Sequence, residues 1–482
     1  MIRQKAREWS CFVREHHVAV WLCVLAVMMY LSLMVYRYLH LAYTDWDTAF
    51  YAQSMWNLSR GEAFSSLFDF NFFGNHAEFF DVLLVPLFML FRHPLLLPGV
   101  EIILFGLSAW LLYVMTARDL GKVPALLMTA TYVIFPANFF AMCHDVNSEA
   151  FSPFFLLITI VAYRHKNIIG FYAGLLCLLL MKQNMPLVVM MLGVWGLMAG
   201  DRSRVRWGLI PFIVALAYFS VLIMWVIPYF HGGGEYPLWH RFRGDGACAS
   251  LAAVLFSEDN IKYLIALFGV LLLPAVLSPS LLLLIAPVVA YHLLSSHPPE
   301  KTIYYYYGAM LTPAIFLAAV QTVARLKSSM VLRTAITGFF LGITVLQLYS
   351  YAPRLMAKVG LDAAPEVMDQ WALVQAIPAD AAVIATFKFL PPLALRSGLY
   401  SFHKVYDRKC QDPEQMKQSD FNTRRIFTVP PNVKYALVDF NDRWLRTCLE
   451  QDPAYVEAKL REFFNNWDRV ASSGSAVLFR RY

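Results

Sequence analysis

Two carboxylates stand close to the end of the first apolar segment of the chain. The segment 18–36 is followed by Asp45 and Asp47 in "YTDWD". A carboxylate that lines a cavity at a membrane surface can act as a general base on a hydroxyl group. Asp47 also precedes Thr48 at the start of a predicted helix, where an ordinary N-cap role would explain it. Both interpretations stay open for Asp47, and Asp45 could equally be facing water.

Two later segments supply further ionisable groups. "NHAEFFD" contains His76, and "CHDVNSE" contains Asp145 and Glu149, which are four residues apart and would share one face of a helix. This pair could orient the hydroxyl groups of a substrate. It could also bind a divalent cation such as Mg²⁺ or Mn²⁺ together with Asp47. Simple solvation of a polar helix start is the alternative for all of them.

Basic residues and tyrosines stand in the same kind of position, beside the ends of apolar segments. Lys182, Arg241 and Arg243 have no topological reason to be there and are natural partners for phosphate. "HPPEKTIYYYY" adds His297 and Tyr306 as further hydrogen-bond donors. An aromatic belt at the membrane interface is the competing explanation for the tyrosines.

The composition indicates the elements that must position these groups. Of 482 residues, 59% are hydrophobic and 15% are charged, whereas soluble domains carry about 25% charged residues. The chain is therefore predicted to be a polytopic α-helical membrane protein. We attribute its net charge of +7 to cytoplasmic loops, and we expect membrane lipids and no nucleic acid as partners.

The distribution of Lys and Arg predicts the topology. The basic N-terminus is expected in the cytoplasm, so the chain would be a multi-pass protein of the cytoplasmic (inner) membrane. About eleven transmembrane helices are predicted, at 18–36, 95–117, 123–142, 149–163, 168–182, 185–199, 207–229, 260–276, 279–294, 306–324 and 332–351.

This topology places nearly all the chemically capable polar residues on the outer side. Ionisable groups near lipid are costly unless they line a cavity or find a partner, so their common sidedness predicts a site there. The first outer loop, about 37–94, carries two apolar segments, 48–61 and 77–91, that suit helices lying in the membrane interface.

The chain is divided into a transmembrane domain, 1–351, and a C-terminal domain, 352–482. The second has short β-branched segments separated by turns and two helical segments, which predicts an α/β domain. An odd number of spans puts it outside the cytoplasm, in the periplasm or the extracellular space. Cys410 and Cys448 could form a disulfide there or remain two separate thiols.

The order of motifs resembles the membrane-protein family known as domain of unknown function 2079 (DUF2079). The resemblance covers most of residues 40–325, and it rests on "DTAFYAQSMWNLSRGE", "GNHAEFFDVLLVPLF", "HDVNSEAFSPFFLL", "MKQNMPLVVMMLGVW" and "YYYYGAMLTPAIFLAA". That family is similar in turn to the GT-C superfamily of glycosyltransferases, which includes protein mannosyltransferases and lipid A aminoarabinose transferases. A GT-C-like fold is the expectation.

The resemblance implies roles for individual residues. Asp47 matches the acidic residue of the first outer loop, His76 a histidine, and Lys182 a lysine that two acids usually follow. Asp145 and Glu149 match the ends of an acidic pattern. The sequence departs from the family at Ala52, Asn147, Ser148, Gln183, Asn184 and Tyr306.

The expected function is that of an inverting glycosyltransferase at the outer face of the membrane. It would transfer a sugar from a polyprenyl-phosphate donor to a hydroxyl group of a lipid, glycan or protein. Asp47 would be the base. Lys182, Arg241 or Arg243 would stabilise the leaving phosphate, with His76 or the outer tyrosines as further donors. Asp145 and Glu149 would hold sugar hydroxyls or a cation. A transporter or flippase of an anionic lipid or sugar, and a non-catalytic membrane scaffold, are the alternatives.

Overall fold

Six long apolar helices form the frame of the molecule. The computed structural model describes residues 15–198, 203–242, 251–326, 329–361, 366–405 and 429–482, and the chain is mostly helical in them. The helices long and apolar enough to cross a membrane are His17–Leu39, Leu96–Leu120, Val205–His231, Glu258–Val276, Tyr306–Arg325 and Met330–Ser350.

A bent pair of helices supplies a seventh span if the two are counted as one. Lys122–Ile134 and Pro136–Met142 meet at an angle of 50°. The bend falls at Phe135, whose ψ of 130° is extended, because a residue that precedes proline avoids the helical region.

The expected count of eleven spans is not confirmed by the parts of the chain that the structure describes. The predicted spans 149–163, 168–182, 185–199 and 279–294 correspond to shorter helices, namely Ser152–Arg164, Ile168–Met181, Met185–Met198, and the pair Pro279–Leu282 and Ala286–Leu294. A helix of 14 residues is about 21 Å long, less than the ~30 Å of a bilayer core. Many of their apolar side chains, including Leu175, Leu178, Val188 and Leu192, are buried inside the protein.

The first two long helices pack closely against each other and against the bent pair. A Cβ atom at Gly106 would overlap the side chain of Val27, so glycine is required for this approach. The Tyr30 hydroxyl donates to the carbonyl of Val133 at 2.6 Å, and Phe105 stacks on Tyr132. The core of the helical region is therefore rich in aromatic contacts.

The loop after the first long helix is ordered. It contains the helix Asp47–Leu58, the antiparallel strands β1 (Phe64–Ser65) and β2 (Phe70–Asn71), and the short helix Phe73–His76. A 3₁₀ helix, Phe79–Leu84, then continues as the α-helix Val85–Leu90. The two predicted helices of this loop are present, and their position at the membrane interface stays a prediction.

Short 3₁₀ segments stand between the longer helices or form part of them. The 3₁₀ helices are Ser148–Phe151, Pro237–Arg241, Gly269–Leu271, Pro298–Lys301 and Tyr306–Leu311, and a short α-helix spans Leu251–Leu255. Val205–Leu209 and Leu222–Val226 are π-helical turns within the helix Val205–His231. Three residues of the candidate site, Glu149, Arg241 and Tyr306, lie on these 3₁₀ segments.

A mixed β-sheet organises the end of the chain. Its strands are β3 (Ala382–Ala385), β4 (Leu399–Ser401), β5 (Val433–Asp439), β6 (Trp467–Ser473) and β7 (Ala476–Arg481), in the order β4-β3-β5-β7-β6. β3 is parallel to β4 and β5, and β7 is antiparallel to β5 and β6. The helices of this part are Ala352–Val359, Val367–Gln375, Arg443–Gln451 and Pro453–Phe464, with 3₁₀ turns at Phe387–Phe389 and Phe402–Val405.

The placement of this part outside the cytoplasm and its predicted boundary at residue 352 stay predictions. Cys448 is buried, and Cys410 lies outside the described residues. The predicted disulfide is therefore not tested.

The sheet region packs directly on the first loop. The amide nitrogen of Gln53 donates to the carbonyl of Arg396 at 3.2 Å, and the Ser66 hydroxyl bonds both the N–H and the C=O of Leu399. The Trp371 indole donates to the carbonyl of Leu39 at 2.9 Å. These contacts hold the C-terminal part of the chain beside the loop that carries Asp45 and Asp47.

Candidate functional site

Breaks between helices bring most of the predicted residues together. The following candidates lie close to one another in the structure: Asp45, Asp47, His76, Asp145, Glu149, Lys182, Arg241 and Tyr306. His297 is half-buried and lies close enough to Glu300 to lower the pKa of that carboxyl. Arg243 lies outside the described residues.

Asp47 is the first residue of the helix Asp47–Leu58. Trp46 occupies the N-cap position and no side chain caps the helix, so the N-cap interpretation of Asp47 is wrong. Its carboxylate is partly exposed and has no hydrogen bond or ion pair with any part of the chain that the structure describes. Burial, and then the charges of Asp45 and Asp145, raise the pKa of Asp47 well above its ordinary value.

Asp45 precedes that helix and has a different environment. Its carboxylate accepts a hydrogen bond from the backbone N–H of Trp46 at 2.8 Å. Burial and the nearby charge of Asp145 raise the pKa of Asp45 to about 6. Asp45 and Asp47 therefore form an acidic pair in which the charge of Asp45 disfavours ionisation of Asp47.

Asp145 is held by a buried ion pair. Its Oδ1 lies 3.4 Å from Nη2 of Arg37, and its Oδ2 accepts from the backbone N–H of Thr48 at 3.3 Å. Arg37 also donates to the carbonyl of His144 at 2.9 Å. The chain is not α-helical between Asp145 and Glu149, so the expectation that these two acids share one helix face is wrong.

Lys358 reaches the site from the helix Ala352–Val359, and reasoning from sequence missed it. Its Nζ lies 2.5 Å from Nδ1 of His144 and 5.6 Å from the ring centre of Tyr305. Burial, and then the charge of Arg37, lower the pKa of Lys358 to about 8. Burial lowers the pKa of His144 as well, so a neutral imidazole can accept a hydrogen bond from this ammonium.

Lys182 and Glu149 form a second buried pair. Lys182 lies in the break between the helices Ile168–Met181 and Met185–Met198, and its Nζ is 3.0 Å from Oε2 of Glu149. Asn184 Nδ2 donates to Oε1 of the same carboxylate at 3.1 Å. The Lys182 ammonium also lies 5.0 Å from the ring centre of Tyr306 and 5.3 Å from that of Tyr307, within the range of cation–π attraction.

Glu78 is a third buried acid, and neutral groups donate hydrogen bonds to one of its two oxygens. Its Oε1 accepts from the Tyr51 hydroxyl at 2.7 Å and from the Ser148 hydroxyl at 2.5 Å. Asn147 Nδ2 in turn donates to the Tyr51 hydroxyl at 3.0 Å. Burial raises the pKa of Glu78. Asn147 and Ser148, two of the departures from the family pattern, are thus part of this network.

A cleft opens beside Lys182. Its volume is about 10 Å³, enough for roughly one water molecule, and it is lined by His76, Glu149, Lys182, Gln183, Asn184, Arg241, Tyr291, Glu300 and Tyr307. Arg241 lies 2.6 Å from Glu300 Oε1, to which the Tyr291 hydroxyl also donates at 3.2 Å. Burial and the charges of Lys182 and Arg241 lower the pKa of His76.

These residues do not fit a preformed divalent-cation site. No group of three or more His, Cys, Asp or Glu side chains is arranged to hold a metal ion within the described ranges. Asp145 faces Arg37 and Glu149 faces Lys182, so two of the three expected ligands already have a cation. Metal binding by Asp47, Asp145 and Glu149 stays a prediction without structural support.

A family model described as "Predicted membrane protein (DUF2079)" matches residues 37–423. The chain belongs to the DUF2079 family. The match includes the first loop, the breaks that carry Asp145, Glu149 and Lys182, and the first two strands of the sheet. A comparison with curated proteins finds no significant match.

Solved structures of ArnT have a similar fold. ArnT from Cupriavidus metallidurans bound to undecaprenyl phosphate matches with a TM-score of 0.55 at 14% identity, over 95% of this chain and 97% of that chain. Its apo state matches with a TM-score of 0.53 at 13% identity, over 96% and 98%. An Archaeoglobus fulgidus oligosaccharyltransferase is more distant, with a TM-score of 0.44 at 11% identity over 94% and 72%. This DUF2079 protein therefore has a GT-C-like fold, as the resemblance predicted.

Proposed function

We propose that this DUF2079 protein is an inverting glycosyltransferase that transfers a sugar from a polyprenyl phosphate to an acceptor hydroxyl at the outer face of the cytoplasmic membrane. The observation that carries the proposal is the position of Asp47. It is a carboxylate without an ion partner among the described residues, and it lies within electrostatic range of Lys182 at one end of a GT-C-like helical bundle.

Asp47 is assigned the role of general base. Its raised pKa makes the carboxylate a stronger proton acceptor than an exposed aspartate, while still leaving it ionised at a sufficiently high pH. The acceptor O–H bond breaks and its proton moves to the Asp47 carboxylate. The acceptor oxygen forms a bond to the anomeric carbon on the face opposite the phosphate, which inverts the configuration.

The bond between the anomeric carbon and the phosphate oxygen breaks in the same step, and its electron pair leaves with the phosphate. Lys182 and Arg241 are assigned to stabilise that developing charge. Lys182 directs two N–H groups at Glu149 and Asn147, and an ammonium has three donors. One N–H group is therefore available to a phosphate oxygen without breaking either contact.

The lipid-linked donor is supported by fold alone. ArnT, which shares this fold at low sequence identity, is known in a complex with undecaprenyl phosphate. In this chain, long helices with exposed apolar side chains, such as Trp225 and Tyr229 near the end of Val205–His231, flank the polar breaks. A polyprenyl chain would remain in lipid while its phosphate reaches the breaks.

The proposal is tested by the lipids that accumulate without the protein. A deletion strain should accumulate one polyprenyl-phosphate sugar in its membrane extract. The wild-type gene should restore the normal level, and a gene encoding Asp47→Asn should not, although its product reaches the membrane in equal amount. An unchanged lipid-linked sugar profile in the deletion strain would contradict the proposal and would favour a transporter or a scaffold.

A further inference from the structure

Lys358 differs from the other cations near the site. Arg37, Lys182 and Arg241 each face a carboxylate, at 3.4, 3.0 and 2.6 Å respectively. The Lys358 ammonium has no ion pair with any residue that the structure describes, and its hydrogen-bond partner there is the imidazole of His144. A charge that is withdrawn from water is costly unless a counter-ion compensates it. The space beside Lys358 therefore favours an anion.

Tyr305 and Arg443 lie in the same place. The Lys358 ammonium is 5.6 Å from the ring centre of Tyr305, and Arg443 is near enough for its positive charge to act on the Tyr305 phenol. Arg443 is exposed and is the first residue of the helix Arg443–Gln451, where the helix dipole disfavours a cation. The helix thus gives no local reason for an arginine at this position.

Aromatic contacts connect the start of this helix to the proposed base. Trp46 directly precedes Asp47, and its ring centre lies 5.4 Å from that of Phe387. Phe387 in turn lies 6.4 Å from the ring centre of Trp444, the residue after Arg443. Arg443 therefore belongs to the same region of the molecule as Asp47, although the two residues come from opposite ends of the chain.

The charges around Tyr305 favour an anion even though Asp45 is near. Burial raises the pKa of Asp45 to about 6 and lowers the pKa of Lys358 to about 8, so both groups are mostly charged at pH 7. Lys358 and Arg443 then supply two positive charges against the one negative charge of Asp45. Tyr305 and Lys358 are half-buried and Arg443 is exposed, so a molecule outside the membrane can reach all three.

We propose that Lys358, Tyr305 and Arg443 bind an anionic group, a phosphate or a carboxylate, that the acceptor carries in addition to the hydroxyl group it presents to Asp47. The inference rests on the proposed function and names the class of acceptor. Lysine binds such a group as a point charge, arginine binds it through two parallel N–H groups, and the Tyr305 hydroxyl is a further donor. The phosphate of the donor remains with Lys182 and Arg241, so the two anions bind to different cations.

Binding of small probes to the full chain in lipid nanodiscs tests this site. The probes are glycerol 1-phosphate, glycerate and, as the uncharged control, glycerol. Short-chain polyprenyl phosphate is present throughout at a concentration that saturates the donor site. We expect at least one anionic probe to bind about tenfold more tightly than glycerol, because hydrogen bonds to charged groups are stronger than those to neutral ones.

Three results would contradict the inference in different ways. Equal binding of the three probes would show that no anion site exists. An anionic probe that polyprenyl phosphate displaces would occupy the donor site, which overturns the assignment to the acceptor and leaves the proposed function in place. If polyprenyl phosphate itself does not bind, the proposed function fails and this inference fails with it.

Two variants locate the anion. Lys358→Met and Arg443→Met should each weaken binding of the anionic probe about tenfold, while binding of polyprenyl phosphate stays unchanged. Neither variant leaves a described carboxylate without its cation. Arg461→Met is the matched control, because Arg461 is an exposed arginine of the helix Pro453–Phe464 and its replacement removes the same charge. Arg443→Met keeps the test valid if Lys358→Met does not fold. A folded variant of either kind that binds the anionic probe like the wild type would show that the anion lies elsewhere.

Discussion

The acids at the start of the first-loop helix and the acids of the helix breaks differ in their partners. Asp45 and Asp47 have no ion pair within the described residues, and burial raises the pKa of both. Asp145, Glu149 and Glu300 each face a buried cation, at 3.4, 3.0 and 2.6 Å respectively. The two groups lie close enough together to affect each other's charge.

The difference separates acids that can take part in a reaction from acids that hold the fold together. A buried carboxylate that is matched by a cation holds segments in place, and removing one partner is strongly destabilising. A carboxylate without a cation, partly open to solvent and with a raised pKa, is available to exchange a proton. The comparison therefore predicts that substitutions in the first group impair activity and that substitutions in the second group impair folding.

Asp47→Asn is expected to have the largest effect on activity. Removal of a general base typically lowers a rate by about 10²–10⁴, and asparagine keeps the size of the side chain. Because no described residue depends on Asp47 for a hydrogen bond, the thermal unfolding temperature should remain at the wild-type value. Sugar transfer and unfolding are measured on the same preparation, with a polyprenyl-phosphate sugar as donor.

Glu62→Gln is the matched control for Asp47→Asn. Glu62 is an exposed acid in the same loop, just after the helix that Asp47 begins, and its replacement should leave transfer unchanged. Full transfer activity in Asp47→Asn would show that Asp47 is not the general base. A large loss of stability in that variant would mean that Asp47, like Asp145 and Glu149, holds segments of the chain in place.

Much of this site could be predicted from the sequence. Clusters of Lys and Arg set the sidedness of the apolar segments, and sidedness put Asp47, His76, Glu149 and Lys182 at the same end of the bundle. The structure brings these residues together, although their roles stay predictions. To predict on which side of the membrane a residue lies, only the ends of the apolar helices are needed. Hydropathy indicates those ends well.

The partners within the site could not be predicted. The contact of Lys358 with His144 spans 214 residues of sequence, and the pairing of Arg241 with Glu300 spans 59. Such pairs depend on how the helices and loops pack against one another. A local sequence pattern contains no information on that packing. Glu300 stands in the same segment as His297, which was predicted to lie on the outer side, and this was a signal available from the sequence.

The count of eleven spans is not confirmed by the described residues, and the physical reason is related. Helices such as Ile168–Met181 are as apolar as true spans, because their neighbours within the protein cover much of their surface. Hydropathy does not separate burial in protein from burial in lipid, and only length distinguishes the two cases.

Glu149→Gln should be the most damaging change to folding. It leaves the Lys182 ammonium buried without a counter-ion, and breaking such a pair typically costs about 3–5 kcal/mol. The midpoint of denaturation in detergent should fall accordingly. A second substitution, Lys182→Met, should recover part of the loss, because replacing both members of a buried pair by uncharged groups is often tolerated.

The exposed pair of Lys122 and Glu15 is the control for this experiment. Their charged atoms lie 2.6 Å apart, but the Glu15 side chain is 58% exposed, so Glu15→Gln should not change the midpoint measurably. A midpoint for Glu149→Gln that equals the wild-type value would mean that Lys182 readily finds water or another partner. The contrast between paired and unpaired acids would then lose its structural meaning.

The smallest expected effect is a shift of the pH profile in Asp45→Asn. A base must be deprotonated, so transfer is lost as the pH falls through the pKa of Asp47, and the acid limb should lie above the ordinary aspartate value of about 4. Burial is the largest cause of that raised pKa and the charge of Asp45 is the second. Removing this charge makes Asp47 easier to ionise, so the acid limb of kcat/KM should move to lower pH. It should not reach 4, because burial remains.

Asparagine can still accept the hydrogen bond from Trp46, which keeps the backbone in place. A limb that stays fixed, or moves to higher pH, would mean that the two carboxylates do not act as a coupled pair.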